Sequence, residues 1–346
     1  MAYSIMEVSP RDGRAMAGID GLLAREGLRR DRNLDYICAV CDEDFRVIAT
    51  GSCFGNTLRC FAVDGGHQGE GLLNLVLTHL TEVQYARGNF RLFLCTKPST
   101  TKFFSDLGFY EIARVDETLV FMENRQDGFP NYLRELEKAR QEGSAAAVVM
   151  NANPFTLGHQ FLVETAAASC RTLHLFLVSE DASLVPFAVR KRLVQEGTAH
   201  LPNVVLHDGG PYIISAATFP SYFLEDGDAV IQGHARLDLA VFVKIAEALG
   251  ISVRYVGEEP FSRVTSLYNQ IMSAELPKAG VHCVTVPRKE VGGNPVSASA
   301  VRCLLQERGV EAVRDLVPPS TYAYFASPEA TPVLARIRKA GDVTHY

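Results

Sequence analysis

Apolar residues in the first 125 positions form short runs at strand spacing around one stretch at helical spacing. Three apolar runs between residues 34 and 64 are separated by turns near Asp42–Asp44 and Gly55–Thr57, which predicts three consecutive strands. Residues 69–88 then carry apolar side chains at helical spacing and end at a glycine. A further strand, a short helix and a closing pair of strands complete the region. We therefore predict an α/β domain of antiparallel character over residues 1–125.

The pattern changes after a polar segment at residues 126–144, where charged side chains occur at nearly every second position. We predict a connecting helix there, a second domain over residues 145–325 and a C-terminal tail at 326–346. In the second domain, short continuous apolar runs alternate with helical stretches, which predicts a parallel sheet covered by helices on both faces, a Rossmann-like α/β fold. Ligands of such sheets bind beyond the carboxyl ends of the strands, where the strand order reverses.

Composition and charge exclude several classes of protein. The chain of 346 residues is long for one core and suits two domains, and its 47% hydrophobic and 21% charged residues are ordinary for a globular protein. Its net charge of −6 gives no general attraction for nucleic acid. No apolar run approaches the ~20 residues of a membrane-spanning helix and the first residues lack the apolar core of a secretory signal, so a soluble cytoplasmic protein is predicted. The eight cysteines are scattered, and Cys38 and Cys41 share a strand-like stretch, which favours reduced structural thiols over redox or metal chemistry.

Polar residues separate two apolar runs at "NANPFTLGH", residues 151–159, directly after the first strand of the second domain. A plain strand-to-helix turn would account for them. The alternative is a phosphate site, because the free amides and the dipole of a helix N-terminus favour a bound anion. Gly158 would permit a close backbone approach, and His159 in the first turn would donate a hydrogen bond to a phosphoryl oxygen as charge develops.

A second candidate phosphate site lies near the end of the domain, in "NPVSASAVRCLL" at residues 294–305. Ser297 and Ser299 stand at the start of a helix and Arg302 follows one turn later, so two hydroxyls and a cation meet at a helix N-terminus. Alone, this stretch is better explained as an ordinary capped helix. Together, the two helix starts follow the first and the last strand and are suited to hold one triphosphate between them.

These two stretches resemble signatures of the nucleotidylyltransferase superfamily. "TLGH" at 156–159 resembles the (H/T)-x-G-H signature, and "VSASAVR" at 296–302 resembles the I-S-S-T-x-x-R signature, with Ala298 and Ser299 as relaxed versions. Within the superfamily, the region 145–325 is similar to the citrate (pro-3S)-lyase ligase family. Three separated stretches carry that similarity: "VVMNANPFTLGHQFLVE", "YIISAATFPSYFL" and "YVGEEPFSRVTSLYN".

The first domain resembles the GNAT acetyltransferase family, and the citrate (pro-3S)-lyase ligase family also carries such a domain. "QGEGLLNLVL" matches the Q/R-x-x-G-x-G/A loop of GNAT proteins at Gln68 and Gly71, and Leu73 departs from it at the last position. "FFSDLGFYEI" matches the usual ending of that fold. In GNAT proteins the amides of this loop receive the pyrophosphate of coenzyme A. The resemblance therefore implies a site for a coenzyme-A-like arm.

The resemblance implies an ATP-dependent ligase that activates citrate lyase. ATP and acetate would give acetyl-adenylate and pyrophosphate, with Mg²⁺ neutralising charge on the phosphates. The acetyl group would then pass to the thiol of a phosphoribosyl-dephospho-coenzyme A group on the citrate lyase acyl carrier subunit. No cysteine of the chain is needed as a nucleophile, because the accepting thiol belongs to the partner. The first domain would serve to bind the arm.

Each motif residue takes a role from this resemblance. His159 would contact the α-phosphoryl oxygens, while Ser297, Ser299 and Arg302 would hold the β- and γ-phosphates. Arg190 would bind phosphate or carboxylate, unless it is a solvated helix cation. Thr156 would contact the triphosphate, and Gln68 and Gly71 would contact the coenzyme-A-like arm. The nucleotide would be contacted by Asn151, Asn153, Pro154, Phe155, Gly158, Gly257 and Glu259. Acetate or the thiol would be contacted by Tyr212, Ser215, Thr218 and Ser221.

Two other functions fit the same motifs. One is a different nucleotidylyltransferase, such as a pantetheine-phosphate or nicotinamide-mononucleotide adenylyltransferase, in which the attacking group is a phosphate rather than a carboxylate. The other is a GNAT acetyltransferase with a nucleotide-sensing domain. Exchange of pyrophosphate into ATP separates the three, because acetate supports it only in the ligase and a phosphomonoester only in the adenylyltransferase.

Overall fold

The computed structural model describes residues 3–31, 33–213, 219–224, 227–258, 263–341 and 343. The chain forms two compact units. The first unit comprises Met1–Tyr132 and a later segment, Phe219–Ala240, and the second comprises Leu133–Thr218 and Val241–Tyr346. Each unit is built around its own sheet.

A mixed sheet of seven strands forms the first unit. The strands are β1 (Ile5–Glu7), β2 (Tyr36–Cys41), β3 (Val47–Phe54), β4 (Thr57–Val63), β5 (Phe93–Thr96), β6 (Tyr110–Val115) and β7 (Leu119–Glu123). They lie in the order β1-β2-β3-β4-β5-β7-β6, and every neighbouring pair is antiparallel except β4 and β5, which are parallel. The helices are α1 (Gly13–Arg25), α2 (Leu72–Ala86), α3 (Thr101–Asp106) and α4 (Gly128–Glu137), the last of which crosses into the second unit.

Strands β4 and β5 pair only at their beginnings, through Thr57 with Phe93 and Leu58 with Leu94. Beyond this point the returning segment at 219–224 contacts β5, because the Tyr222 hydroxyl donates a hydrogen bond to the Cys95 carbonyl oxygen at 2.7 Å. The same segment is held by a buried ion pair. Asp31 accepts hydrogen bonds from the Ser221 backbone N–H and hydroxyl, while its other oxygen accepts from Arg59 at 3.2 Å. The segment is therefore an integral part of the first unit.

A parallel sheet of five strands forms the second unit. Its strands are β8 (Ala145–Met150), β9 (Thr172–Leu177), β10 (Val204–Asp208), β11 (Ile251–Gly257) and β12 (His282–Val286), in the order β10-β9-β8-β11-β12. The first strand is therefore in the middle, and the strand order reverses between β8 and β11. A crevice at such a switch point is where parallel α/β sheets bind ligands.

Helices surround this sheet because its strands carry apolar side chains on both faces. The helices of this unit are α5 (Leu157–Ala168), α6 (Phe187–Thr198), α8 (Arg263–Glu275), α9 (Ala298–Glu307), α10 (Pro319–Ala326) and α11 (Thr331–Lys339). Helix α7 (Gly227–Leu249) begins in the first unit and enters the second at Val241. A short hairpin of β13 (Glu290–Val291) and β14 (Asn294–Pro295) precedes α9. Its turn is Gly292–Gly293, and both residues have positive φ (60° and 77°), as a two-residue hairpin turn commonly requires.

The predicted α/β fold class is confirmed, with a mixed sheet first and a parallel sheet second. The sequence did not predict β1, α1 or the hairpin of β13 and β14. The cysteines are free thiols, and burial raises the pKa of Cys38 and of Cys95 to about 12, which keeps both protonated. Among the helices of the described ranges, none is long and apolar enough to cross a membrane.

Candidate functional site

A cleft of about 230 Å³ opens at the carboxyl ends of β8, β11 and β12, at the switch point of the parallel sheet. The loop after β8, the start of α5, the end of β12 and the start of α9 form its walls. The polar and charged side chains on its lining are those of Asn151, Thr156, His159, Arg288, Lys289 and Ser297, with Gly158 and Gly257 contributing backbone. No carboxylate lines it in the part of the chain that the structure describes, so the cleft is suited to an anion.

Thr156 and His159 cap the beginning of α5 reciprocally. The Thr156 hydroxyl oxygen accepts a hydrogen bond from the His159 backbone N–H at 3.3 Å, and the Thr156 backbone N–H donates to His159 Nδ1 at 3.1 Å. A backbone N–H can only donate, so Nδ1 is an acceptor and the ring proton of neutral His159 is on Nε2. The cap thereby fixes the tautomer and leaves Nε2–H as the donor of this imidazole in the cleft.

Burial, together with the positive charges of Arg288 and Arg302, lowers the pKa of His159 to about 4. The imidazole is therefore neutral near pH 7. Phe155 supports the ring from beneath, because the two rings stack with centroids 5.9 Å apart. Phe155 is fully buried, so it orients His159 and exposes no surface of its own to the cleft.

The low pKa of His159 gives the first prediction. The ordinary histidine pKa is about 6.5, so the folded protein should keep His159 neutral down to about pH 5. As pH falls, the unfolded chain binds the proton of His159 at a higher pH than the folded protein does. The contribution of this group to stability is therefore complete above the ordinary pKa and is lost as pH falls from there through the pKa of the folded protein. Titration of the imidazole resonance by NMR, assigned with a His159→Asn variant, should give a midpoint near 4. A midpoint near the ordinary value would contradict this environment.

The start of α9 meets the start of α5. A Cβ added to Gly158 would lie 2.8 Å from the Val296 carbonyl oxygen, so only glycine permits this contact without a shift. Ser297 is the N-cap of α9 and its Oγ accepts from the Ala300 N–H at 3.1 Å. The hydroxyls of Ser297 and Ser299 are 3.1 Å apart. The structure thus places the two helix N-termini that the sequence singled out at one cleft.

Two buried arginines hold the loop between β8 and α5. Arg190 is fully buried and donates to the carbonyl oxygens of Asn151, Val178, Glu180 and Val185, so its interpretation as a solvated helix cation is wrong. Arg302 is 3% exposed and donates from Nε to the Val343 carbonyl at 2.6 Å and from a terminal nitrogen to the Asn153 carbonyl at 2.5 Å. Both guanidinium groups face backbone in this structure, and neither lines the cleft.

The remaining predicted nucleotide contacts divide between the cleft and its supports. The Asn151 side chain lines the cleft and exchanges hydrogen bonds with the Ser183 hydroxyl. Asn153 is buried, its side-chain oxygen accepts from the Val185 N–H, and it precedes Pro154 through a cis peptide bond. The Gly257 carbonyl accepts from Asn269 at 3.0 Å. Glu259, Ser215 and Thr218 lie outside the described residues, and Tyr212 and Ser221 do not line the cleft.

Arg288 and Lys289 are cleft residues that the motifs did not identify. Arg288 donates from Nε to the Glu258 carbonyl at 2.8 Å and from a terminal nitrogen to the Val296 carbonyl at 3.4 Å. The Lys289 ammonium nitrogen lies 5.9 Å from the centroid of the Phe161 ring. The available signal in the sequence was their position, because a basic pair directly follows the last parallel strand.

The first unit contains a second cleft, of about 520 Å³, beside the start of α2. Gln68, Gly71 and Leu73 line it. Gly71 is the N-cap residue of α2 and has a left-handed φ of 78°, and no side chain caps the first amides of this helix. The rest of the lining is mainly apolar and includes Phe61, Phe104, Tyr222 and Phe223, with Lys97 as a cationic side chain and Glu26 and Asp106 as carboxylates. The cleft combines open helix amides with an apolar channel.

Comparison with known proteins decides which family this chain represents. Residues 145–325 match the family model of the citrate lyase ligase C-terminal domain. The chain belongs to the citrate lyase ligase family. A citrate (pro-3S)-lyase ligase of Klebsiella pneumoniae is 41% identical over 91% of this chain and 94% of its own length. The ligase of Escherichia coli is 38% identical over 92% of both chains.

The predicted membership of the citrate (pro-3S)-lyase ligases, as enzymes of this class, is therefore confirmed. Among solved structures, a GNAT-family acetyltransferase of Staphylococcus aureus is similar to 35% of this ligase chain and to 98% of its own chain, with 15% identity and a TM-score of 0.31. Within the described ranges of the ligase, no three histidine, cysteine, aspartate or glutamate side chains are grouped so as to hold a metal ion.

Proposed function

We propose that this citrate lyase ligase makes acetyl-adenylate from ATP and acetate in the cleft of the second unit and passes the acetyl group to a thiol on the citrate lyase acyl carrier. The observation that carries the proposal is the meeting of two helix N-termini, those of α5 and α9, around a neutral histidine whose Nε2–H is a donor. Helix N-termini bind phosphate through open amides and dipole. Two of them at one cleft suit a triphosphate.

The first chemical step is an in-line attack of an acetate oxygen on the α-phosphorus. A new oxygen–phosphorus bond forms, the bond from the α-phosphorus to the bridging oxygen breaks, and pyrophosphate leaves with that electron pair. His159 Nε2–H would donate to an α-phosphoryl oxygen, where negative charge is held through the transition state. A neutral imidazole suits this role because it donates a hydrogen bond without losing its proton, and Thr156 holds the ring in place.

Each remaining site residue has a place in this proposal. Ser297 and Ser299 would bind the β- and γ-phosphates at the start of α9. Arg190 and Arg302 would act indirectly, because they fix the loop carbonyls of Asn151 and Asn153 and so hold the nucleotide pocket in shape. Asn151, Asn153, Pro154, Phe155, Gly158 and Gly257 form that pocket or its support, and Glu259 is proposed to contact the ribose or the adenine.

ATP would enter the cleft as its Mg²⁺ complex. The lining offers hydroxyl and amide oxygens from Thr156, Ser297 and Asn151 but no carboxylate among the described residues. Mg²⁺ commonly keeps several waters and binds chiefly through substrate phosphates, which fits such a cleft. The ion would therefore belong to the substrate, and it would neutralise charge on the phosphates as pyrophosphate leaves.

The second step would use the cleft of the first unit to bind the carrier's coenzyme-A-like arm, a phosphoribosyl-dephospho-coenzyme A group. The open amides after Gly69 and Gly71 and the ammonium of Lys97 suit its pyrophosphate, and the apolar walls suit its pantetheine chain. In the transfer, the arm's sulfur attacks the acetyl carbonyl carbon and the thiol proton passes to solvent water. The bond to the AMP oxygen breaks, which leaves a thioester and AMP.

Exchange of labelled pyrophosphate into ATP tests the adenylation proposal. The purified ligase should catalyse it only when acetate is present, and no carrier should be needed. Exchange supported by a phosphomonoester instead would indicate an adenylyltransferase that transfers to phosphate. If the protein binds ATP but neither acetate nor a phosphomonoester supports exchange, the second unit would have a nucleotide-sensing role.

A further inference from the structure

Among the described residues, Arg288 and Lys289 line the cleft of the second unit and Arg302 holds the loop after β8, and these cations are engaged in different ways. Arg302 donates to the backbone carbonyls of Val343 and Asn153. Arg288 donates to the backbone carbonyls of Glu258 and Val296. These guanidinium groups join loops and strand ends, so moving either towards a ligand would break hydrogen bonds that shape the cleft.

Lys289 is held differently. Its backbone carbonyl accepts from the Val296 N–H at 2.9 Å, which fixes the main chain beside the start of α9. Its ammonium lies over the face of Phe161, 5.9 Å from the ring centroid, and no carboxylate of the described ranges forms an ion pair with it. A contact with a ring face is electrostatic and leaves the three N–H donors of an ammonium available. Lys289 therefore combines a fixed backbone with a side chain whose donors can turn to a ligand.

We propose that Lys289 is the catalytic cation that binds the β- and γ-phosphates of ATP and the departing pyrophosphate. The inference rests on the proposed ATP site of the second unit. When the bond to the α-phosphorus breaks, the electron pair goes to the bridging oxygen, and negative charge grows on the leaving group. An ammonium on a flexible four-carbon stem can follow that oxygen as it moves, whereas a guanidinium bonded to two carbonyls cannot.

Phe161 completes the arrangement. It lies in α5 and lines the same cleft as His159. Its ring face holds the Lys289 ammonium at the cleft by a contact that is weak at partly exposed sites, so a phosphate can draw the ammonium away at small cost. The side chain is thereby kept near the position in which it binds the substrate.

Steady-state pyrophosphate exchange by the full-length ligase, carried out with Lys289→Ala, Lys289→Arg and Lys278→Ala, tests the inference. Lys278 is the matched control, because it is an exposed lysine of the same unit, paired with Glu275 at 2.8 Å and outside the cleft. For Lys289→Ala we expect the exchange rate to fall about 10²-fold. The inhibition constant of pyrophosphate should rise roughly tenfold or more, while the KM for acetate stays unchanged.

The arginine variant and the pyrophosphate constant separate catalysis from a structural role. Lys289→Arg keeps the charge, so it should recover part of the exchange rate that Lys289→Ala loses. General damage to the cleft would also change the KM for acetate. If the exchange rate and the inhibition constant of pyrophosphate in Lys289→Ala are within twofold of the wild-type values, the inference is wrong, but the proposed ATP site is not contradicted. Absence of acetate-dependent exchange in the wild type would overturn the ATP site and the inference together.

Discussion

Replacing His159 with alanine is expected to lower acetate-dependent pyrophosphate exchange by about 10²–10³-fold. The variant removes the Nε2–H that the proposal places on an α-phosphoryl oxygen. It also removes the acceptor for the Thr156 N–H, so part of the helix cap is lost with it. Loss of such a cap typically costs about 1 kcal/mol, which a folded two-domain protein tolerates. The measurement is the exchange rate at saturating ATP and acetate.

His159→Asn separates the cap from the chemistry. The asparagine oxygen can still accept from the Thr156 N–H, but the shorter side chain has no group at the position of Nε2. We expect this variant to melt close to the wild type and to lose activity as the alanine variant does. Near-normal exchange in the asparagine variant would remove His159 from the transition state and leave it as a capping residue.

Replacing Lys97 with glutamate is expected to raise the KM for the carrier roughly tenfold or more and to leave pyrophosphate exchange unchanged. Lys97 lines the cleft of the first unit with Gln68 and Gly71, and no ion pair holds its side chain in the described part of the chain. A carboxylate there would repel the pyrophosphate of the arm. Because adenylation needs only ATP and acetate, the loss should fall on acetyl transfer alone.

Lys102→Glu is the matched control for this variant, since Lys102 lies in the same unit, is exposed and does not line the cleft. Point variants are preferable to a truncation that removes residues 1–141. The segment at 219–224 belongs to the first unit, and Tyr222 and Ser221 would lose their partners Cys95 and Asp31. Unchanged carrier kinetics in Lys97→Glu would contradict arm binding in this cleft.

The parallel sheet and its cleft were predictable from the sequence for a clear physical reason. Short buried strands and amphipathic helices alternate from residue 145, and parallel strands all end at the same edge of the sheet. Motifs that follow the first strand and precede α9 can therefore meet there, as Gly158 and Val296 do. The short polar side chains at each predicted helix start, with Arg302 in the second motif, also indicated an anion before any contact was known.

Other features depend on contacts that periodicity does not reveal. Helix α1 carries Gly13, Gly18 and Gly21, which have low helix propensity, and its packing on β3 determines it. The segment at 219–224 is apolar like many strands, and its distant partners Asp31 and Cys95 show that it joins the first unit. The direction of the Arg302 guanidinium depends on the loop that ends at Pro154, whose conformation no hydrophobic pattern encodes.

Transfer of oxygen from acetate to AMP tests the central claim most directly. The ligase is supplied with ATP, the thiol form of the citrate lyase acyl carrier and acetate labelled with ¹⁸O at both oxygens, and the products are analysed by mass spectrometry. If acetate attacks the α-phosphorus, one labelled oxygen should appear in each AMP and the other should remain in the thioester. AMP without label, formed together with acetylated carrier, would contradict an acetyl-adenylate.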